Sequence, residues 1–572
     1  MSLGKQDPSV STAKVPFPIE DGAQVIIEGG QEEHTLNDQG QLIDDGVRRG
    51  LKSRHLQMIA FGGVIGAGTF YSLGYALKYG GPLGALIGFG VVGFDIFITM
   101  QSLGEIATLF PTSGSFMEMG GRFVDPAMSF AFTWNYWYMW ATFIPVEYNT
   151  ITLILSYWSE SFPSYGFILI FWVFFMTITL LGVVLYGEME FWLATIKLIF
   201  VLAVFFVSIL INTGAIGGDY IGFRYWKDPG PFANGINGFG KVFVLAAVYY
   251  AGAEMIGITA GESINPRRDV PKAIKQTFWR IVIVYLGTLF FFGQSYLLPP
   301  NLKEENLLTT STGIICPSNS TDLLNATSKT ASSPITIALV NAGWSSAGDL
   351  VNAVMIICLL SSIPSAIYVG ARTLRYMATV GHAPSIFAKT SKSGVPIAAT
   401  IFTHCFAFLA ILNMKATPGQ VFTYLCDIGG GAAFIAWGTI GLIHIRFRRG
   451  YAVQGYSVDD LPFKALWYPY GAYLCVGMNS FLLIIQGYTT LLTPWQPVAF
   501  VCSYLVIPIF LVLFFSYKFV RKTSFVRLEE MDLVTGRREW LAVRSKAGDN
   551  DDTDREDGKG RVKRWARDFF VG

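Results

Sequence analysis

Residues Phe167–Leu185 read FILIFWVFFMTITLLGVVL, a run in which no side chain is charged. Its length suits the roughly 20 residues that an α-helix needs to cross a bilayer. A segment surrounded by lipid must satisfy its own backbone hydrogen bonds, as a helix does. The chain is therefore predicted to be an all-α polytopic membrane protein. Runs of the same kind, almost free of charge, occur at Leu193–Ile211, Ile281–Leu298 and Val498–Phe515.

The composition of the whole chain agrees with this class. Of its 572 residues, 52% are hydrophobic and only 14% are charged, whereas a soluble domain carries about 25% charged residues. The net charge of +2 gives no sign of a nucleic-acid partner. The five histidines are scattered and the six cysteines show no CxxC spacing, so neither a metal site, a cofactor nor a disulfide framework is predicted. No nucleophile–base or nucleotide motif suggests an enzyme.

Twelve transmembrane helices are predicted, numbered here as spans 1 to 12. They form a transporter body at residues 51–518, between a polar head at 1–50 and a charged tail at 519–572. Approximate limits of the spans are 57–77, 83–103, 127–157, 166–186, 190–212, 239–261, 279–298, 348–378, 396–414, 420–446, 468–490 and 497–518.

The distribution of positive charge predicts that both termini are cytoplasmic. With the N-terminus inside, the loops and helix ends on that side hold about twice as many Lys and Arg as those outside. The loop between spans 7 and 8 then lies outside, and it carries two glycosylation sequons, at Asn319 and Asn325. These sequons indicate a eukaryotic secretory route. The first 50 residues hold no apolar signal segment, so insertion is expected to begin with span 1.

Span 1 contains the sequence GGVIGAGT at Gly62–Thr69. Four glycines in seven residues weaken a helix and allow the chain to unwind. Unwound backbone at membrane depth is tolerated where it lines a cavity, and there it binds anionic substrate groups. The backbone amides of Ile65, Gly66, Ala67, Gly68 and Thr69 are therefore candidates for binding a carboxylate. Close helix packing through small residues remains an alternative on spacing alone.

Span 6 has a matching feature, because Tyr249, Tyr250, Ala251, Gly252 and Glu254 lie together in the sequence YYAGAE. A glycine again interrupts the apolar run, and here a carboxylate accompanies it. Ionisable residues inside a membrane are costly and are by default functional candidates. A functional role is favoured for Glu147, Lys197 and Glu254. For Asp95 and Asp427 a structural role is an equally good alternative.

Several long motifs stand out along the chain. They are Lys52–Ala60, Leu103–Glu105 with Pro111–Phe116, Tyr186–Trp192, Ala260–Arg268 continuing through Val270–Ile274, and His444–Arg448. In sequence and in order they resemble the motifs of fungal amino-acid permeases, in the amino acid–polyamine–organocation superfamily. The resemblance covers roughly residues 50–540.

The resemblance implies a leucine-transporter-type fold. Spans 1–5 and 6–10 then form inverted repeats, at about 51–212 and 239–446, and two peripheral helices follow at about 468–518. Spans 1 and 6 are corresponding members of the two repeats. The resemblance places the substrate carboxylate against the backbone of Val64, Ala67 and Gly68. It places the substrate amino group near carbonyls of Val248–Ala251.

The resemblance also implies a role for Lys197 on span 5, where sodium-driven members of the superfamily bind Na⁺. A fixed positive charge repels a bound Na⁺, so the driving ion is expected to be H⁺. Glu147 or Glu254 is expected to be the carboxylate in the proton path, because burial raises the proton affinity of an acid. If Glu147 and Asp427 both face the pocket, a cationic substrate is favoured.

These patterns predict a plasma-membrane secondary transporter that imports amino acids by proton symport and alternating access. A nutrient-sensing transceptor is one alternative, and a transporter of choline, γ-aminobutyrate or a polyamine is another. The resemblance further implies that a ubiquitin ligase adaptor acts on the cytoplasmic tails.

Overall fold

The computed structural model describes three short strands, at residues 24–25, 34–36 and 42–43, and most of residues 67–537. Within the latter range the residues not described are 113, 160, 182, 219, 221, 228–230, 233–234, 262, 264–265, 291–343, 345, 392–393, 415–417 and 493–494.

Helices make up nearly all of the described structure. Short 3₁₀ segments and one π-helical stretch, Ile281–Gly287, connect or extend them. In chain order the α-helices are α1 (Ala67–Leu109), α2 (Ser115–Phe123), α3 (Pro126–Leu155), α4 (Ser164–Leu180), α5 (Val183–Asn212), α6 (Arg224–Lys227), α7 (Gly238–Tyr250), α8 (Met255–Ala260), α9 (Pro266–Arg280), α10 (Ala347–Thr379), α11 (Ile397–His404), α12 (Pro418–Val453), α13 (Tyr470–Ile485), α14 (Pro497–Tyr504) and α15 (Val506–Arg521).

Seven helical segments of the described chain are long and apolar enough to cross a membrane, and the bent pair α14–α15 makes an eighth. The seven correspond to predicted spans 2, 5, 6, 8, 9, 10 and 11, and the pair to span 12. Predicted spans 1 and 7 run beyond the described residues. Span 4 is present as α4, which is apolar but only 17 residues long. Span 3 is present as the 30-residue α3, whose many Trp and Tyr residues make it less apolar.

The end of predicted span 1 and all of span 2 form α1, which is two helices joined at a kink. Gly81 at this kink has φ 73° and ψ 175°, a conformation that residues with a side chain rarely adopt. Pro82 follows, and it has no backbone N–H to continue the hydrogen bonding of the first helix. The local sequence Gly-Gly-Pro therefore makes the turn between the two spans.

α3 lies at the centre of the helical unit, where it packs against α10, α12 and α15. Asp125 caps its first turn by accepting a hydrogen bond from the backbone N–H of Ala127 at 2.8 Å. Asp125 also forms an ion pair with Lys518 near the end of α15. Trp137 and Ala141 of α3 pack in a buried cluster with Ala371, Leu374 and Met377 of α10 and Ala399 of α11.

α5 shows the opposite distribution, with one buried and one exposed face. Lys197 and Glu190 are fully buried, whereas Trp192, Ile199 and Phe206 are more than 60% exposed. Large apolar side chains facing outward are expected on a helix at the perimeter of a membrane bundle. α5 thus has one buried face that carries charged residues and an opposite apolar face that suits contact with lipid.

The three strands belong to a small unit separate from the helical unit. They are Gln24–Val25 (β1), His34–Leu36 (β2) and Leu42–Ile43 (β3), paired antiparallel in the order β1-β2-β3. The polar head of the sequence gave no indication of them, because each strand is only two or three residues long.

The crossing of α7 and α12 depends on the absence of a side chain at Gly430. An added Cβ at Gly430 would lie 2.9 Å from Val244 Cγ1 and 3.2 Å from the Val244 carbonyl oxygen, so backbone as well as side chain would have to move. We expect Gly430→Ala to lower the free energy of unfolding by about 1–3 kcal/mol, as overpacking does. The measurement is the midpoint of thermal unfolding in detergent, followed by size-exclusion chromatography.

Gly477→Ala is the matched control, because a Cβ at Gly477 on α13 would meet nothing within 4 Å. An equal loss of stability in both variants would contradict the close approach at Gly430.

Candidate functional site

Predicted span 6 is broken in the structure. α7 ends at Tyr250, α8 begins at Met255, and Ala251–Glu254 form a turn between them. Gly252 in this turn has φ 96°, which a residue with a side chain rarely adopts. The glycine interruption seen in the sequence therefore coincides with a real break in the helix.

The carboxylate of Glu254 holds this break together. The backbone N–H of Gly252 donates to both carboxylate oxygens, at 3.0 and 3.1 Å. Two fully buried side chains donate as well, the Tyr136 hydroxyl of α3 at 3.3 Å and the Trp437 indole N–H of α12 at 3.2 Å. A buried carboxylate is tolerated when donors surround it in this way. Glu254 thus fastens the break to two neighbouring helices.

The break leaves some backbone carbonyls available to a ligand. The Tyr285 hydroxyl donates to the Tyr249 carbonyl at 3.0 Å, and the Ala253 N–H donates to the Tyr250 carbonyl at 3.2 Å. No group in the described part of the chain donates to the carbonyls of Val248 or Ala251. Backbone carbonyls inside a protein usually accept a hydrogen bond, so these two oxygens suit a bound cationic or N–H group.

The candidate residues of span 1 are described only in part. The backbone of Ala67, Gly68 and Thr69 is helical and belongs to α1. Val64, Ile65 and Gly66 lie outside the described residues, as do the two predicted glycosylation sites, Asn319 and Asn325.

Asp427 on α12 forms an ion pair that the sequence did not indicate. Its Oδ2 lies 2.5 Å from Lys241 Nζ on α7, and only 1% of the Asp427 side chain is exposed. The charges of both residues act on Tyr79 of α1. The pair therefore links α7 to α12, and the acidic group is already neutralised by a lysine of the same chain.

The ion pair and the Glu254 contacts are two levels of one interface between α7 and α12. Lys241 precedes Tyr250 by nine residues and Asp427 precedes Trp437 by ten, which is roughly 14–15 Å along each helix. The two helices therefore run in the same direction. Gly430 allows their close approach between the two levels.

Lys197 lies in a second charged cluster, between α5 and α10. Its Nζ donates to the Ser361 hydroxyl at 2.6 Å, and that hydroxyl donates to Glu190 Oε2 at 2.5 Å. All three residues are fully buried. Glu190 was missed as a site residue because predicted span 5 began at that position, where a charge is ordinary. The helix in fact begins at Val183, which places Glu190 inside it and two turns before Lys197.

Glu147 of α3 lies near this cluster. Its charge acts on the Cys358 thiol of α10, as do the charges of Glu190 and Lys197. It also acts on the Cys426 thiol of α12, next to Asp427. Glu147 is therefore within electrostatic range of groups beside both charged clusters. Asp95, the other ionisable residue singled out in the sequence, accepts a hydrogen bond from Asn479 of α13 at 3.0 Å, in keeping with a structural role.

Comparison with known proteins finds the same family over most of the chain. A family model described as amino acid permease matches residues 55–530. An uncharacterised amino-acid permease of Schizosaccharomyces pombe is 40% identical over 544 residues, which are 94% of this chain and 95% of the relative. A general amino acid permease of Saccharomyces cerevisiae is 36% identical over 497 residues, or 86% of this chain and 85% of the relative.

Solved structures show a similar fold. A histidine-to-alanine mutant of a manganese transporter from Eremococcus coleocola has a TM-score of 0.50 and 14% identity, and the match covers 82% of this chain and 94% of that one. At this identity the likeness concerns the fold alone. The described helices therefore adopt a transporter-type arrangement.

The contacts of Glu254 predict different outcomes for two substitutions. Glu254→Met removes the acceptor from three donors, each costing about 1–3 kcal/mol when left unsatisfied, so the thermal midpoint in detergent should fall markedly. Glu254→Gln keeps one oxygen, and the Tyr136 hydroxyl can turn to accept from the new amide. It should therefore remain close to the wild type in stability. An E254M protein as stable as the wild type would contradict the bracing role.

Proposed function

This chain belongs to the amino acid permease family, and from that premise we propose that it couples the import of amino acids to the inward movement of protons. The protein is a multi-pass amino-acid transporter and not an enzyme, since its relatives over most of the chain are permeases. Proton coupling, plasma-membrane location and cytoplasmic termini are the parts that we propose.

In the proposed architecture, twelve spans form a 5+5 inverted repeat followed by two peripheral helices. The repeats occupy about 51–212 and 239–446, and the peripheral helices about 468–518. The break between α7 and α8 supports this arrangement, because transporters of this type bind substrate where helices are interrupted near the bilayer midplane. The loop bearing Asn319 and Asn325 is then extracellular, and the tails are accessible to a ubiquitin ligase adaptor.

The break in span 6 is the observation that carries the proposed substrate site. The carbonyls of Val248 and Ala251 would accept hydrogen bonds from the α-amino group of an amino acid. The amides of residues 64–69 would bind its carboxylate, as the glycine-rich sequence of predicted span 1 suggests. Both contacts involve the α-amino and α-carboxylate groups that all amino acids share. They therefore bind the zwitterionic part of the substrate, and other groups of the protein would contact the substrate side chain. Tyr249, Tyr250 and Gly252 shape the break from which the carbonyls project.

The proposed driving ion is H⁺, with Lys197 as part of the coupling machinery. Lys197 is fully buried, and its positive charge disfavours Na⁺ at the same place. Glu147 and Glu254 remain the carboxylates predicted for the proton path. The three donors that hold Glu254 favour a bracing role for it, because an acid that accepts several hydrogen bonds is stabilised as the carboxylate.

Purified protein in proteoliposomes tests the proposed function directly. Radiolabelled L-leucine, L-lysine and L-glutamate are supplied separately, with acidic buffer outside, neutral buffer inside and no sodium. At least one should accumulate, and its addition should acidify the lumen as reported by a trapped pH-sensitive dye. With a pH difference of one unit, one proton per substrate supports about tenfold accumulation.

Two results would contradict the proposal. Accumulation that requires a sodium gradient, and that leaves the luminal pH unchanged, would remove proton coupling. Absence of uptake and of exchange for every labelled amino acid would instead indicate a sensor or a transporter of a different amine, which competition by choline, γ-aminobutyrate and spermidine would then separate.

The Lys241–Asp427 pair predicts how these residues respond to substitution. Lys241→Met leaves a buried carboxylate without its cation and should cost about 3–5 kcal/mol, whereas the double variant with Asp427→Asn should recover most of this loss. The measurement is the thermal midpoint of the four proteins in the double-mutant cycle. Asp427→Asn should also leave the ratio of lysine to leucine uptake unchanged. A selective loss of lysine uptake would show that Asp427 binds a cationic substrate instead.

A further inference from the structure

We propose that Glu190 is the residue that binds the coupling proton, with Ser361 and Lys197 as the groups that link its protonation to the contact between α5 and α10. This inference rests on the proposed proton symport and deepens it, because it assigns the proton to a carboxylate outside the pair expected from the sequence. It follows from the direction of the hydrogen bonds, from the environment of Glu190 and from the elements that the cluster connects.

The hydrogen bonds run in one direction through the cluster. Lys197 Nζ has only protons to donate and gives one to the Ser361 oxygen, so the Ser361 hydroxyl must donate its own proton onward. It donates to Glu190 Oε2. The chain of hydrogen bonds therefore begins at the Lys197 ammonium group and ends at the Glu190 carboxylate.

The second oxygen of Glu190 is available for a proton. Glu190 Oε1 is buried, and no group in the described part of the molecule donates a hydrogen bond to it. Glu254 differs in this respect, because donors approach both of its oxygens. A buried carboxylate with few donors is poorly stabilised as an anion, so it binds a proton more readily than one that donors surround. Of these two fully buried carboxylates, Glu190 is the one prepared to gain a proton.

The charged and titratable groups around Glu190 come from three helices. Lys197 lies on its own helix and interacts with its charge, and Cys358 of α10 is close enough to feel the charges of both. Glu147 of α3 also acts on Cys358. Lys197, Glu190 and Glu147 therefore all lie within electrostatic range of one thiol, so a change in the charge of Glu190 alters the balance of charge in this part of the protein.

Protonation of Glu190 would weaken the link between α5 and α10. An O–H bond forms at Glu190 Oε1 when a proton enters, the carboxylate charge disappears, and Ser361 loses the charged acceptor to which it donates. Charge-assisted hydrogen bonds are about twice as strong as neutral ones. The helices joined by this contact are then freer to separate, and release of the proton to the other side restores the contact. Proton binding is in this way connected to a change in helix packing.

Glu190→Gln tests this assignment, because glutamine keeps the shape and an acceptor for Ser361 but cannot bind a proton. The proteoliposome assay uses whichever of radiolabelled L-leucine, L-lysine or L-glutamate the wild type accumulates. We expect E190Q to lose proton-driven accumulation and luminal acidification, while exchange of labelled for unlabelled substrate across the membrane continues. Continued exchange also shows that the variant is folded and binds substrate.

Glu188→Gln is the matched control, since Glu188 lies on the same helix two residues earlier, about 200° around the helix axis from Glu190, and is only partly buried. It should accumulate substrate as the wild type does. Accumulation by E190Q at the wild-type level would overturn the assignment, as would loss of accumulation with retained exchange in E254Q or E147Q but not in E190Q. If the wild type itself shows no proton coupling, the result contradicts the proposed function. The assignment of the proton to Glu190 is contradicted only by the results for the variants.

Ser361→Ala provides a second measurement if E190Q does not fold. It removes the hydroxyl that joins Lys197 to Glu190 and keeps the carboxyl group. Loss of one charge-assisted hydrogen bond should move the external pH of half-maximal uptake by about one unit. An unchanged pH profile would overturn the proposal, because a hydroxyl with only a packing role would not alter the pH dependence.

Discussion

A helix that stops inside an apolar protein must find partners for the backbone groups that it no longer pairs, and this constraint governs the centre of the transporter. α7 ends at Tyr250, and in the turn that follows the N–H of Gly252 needs an acceptor from outside the helix. Glu254 supplies that acceptor, and through Tyr136 and Trp437 it ties the break to α3 and α12. These contacts therefore fix the conformation of the break, and the carbonyls of Val248 and Ala251 are left to bind a ligand.

The buried charges are distributed around this break in separate groups, each with its own compensation. Lys241 neutralises Asp427 at one level of the α7–α12 interface, and Lys197 is connected through Ser361 to Glu190 between α5 and α10. Isolated charges at membrane depth would be too costly to keep. Because each group joins different helices, a change in one charge alters a specific helix contact. That property suits a protein whose helices must move relative to one another.

Local features of the sequence predicted the helical membrane class and the interruption of span 6. Hydropathy over about 20 residues depends only on neighbours in the chain, and so does the conformational freedom of a glycine. The number of spans was harder to establish, because α3 is rich in Trp and Tyr and α4 is short. Glu190 was missed for a related reason: span 5 was predicted to start at Glu190, about two turns after the observed start of α5 at Val183, so the residue seemed to lie at a helix end.

The sequence by itself determined which residues carry charge inside apolar segments, and among them it identified Lys197, Glu254 and Asp427. Only the tertiary structure decided what each charge faces, because Asp427 meets a lysine 186 residues away and Glu190 meets a serine 171 residues away. Such pairings depend on how helices pack, and packing joins residues without regard to their distance along the chain. For the same physical reason, Glu254 could be predicted to matter from its cost in lipid, but its role in holding the break became visible only with its donors in place.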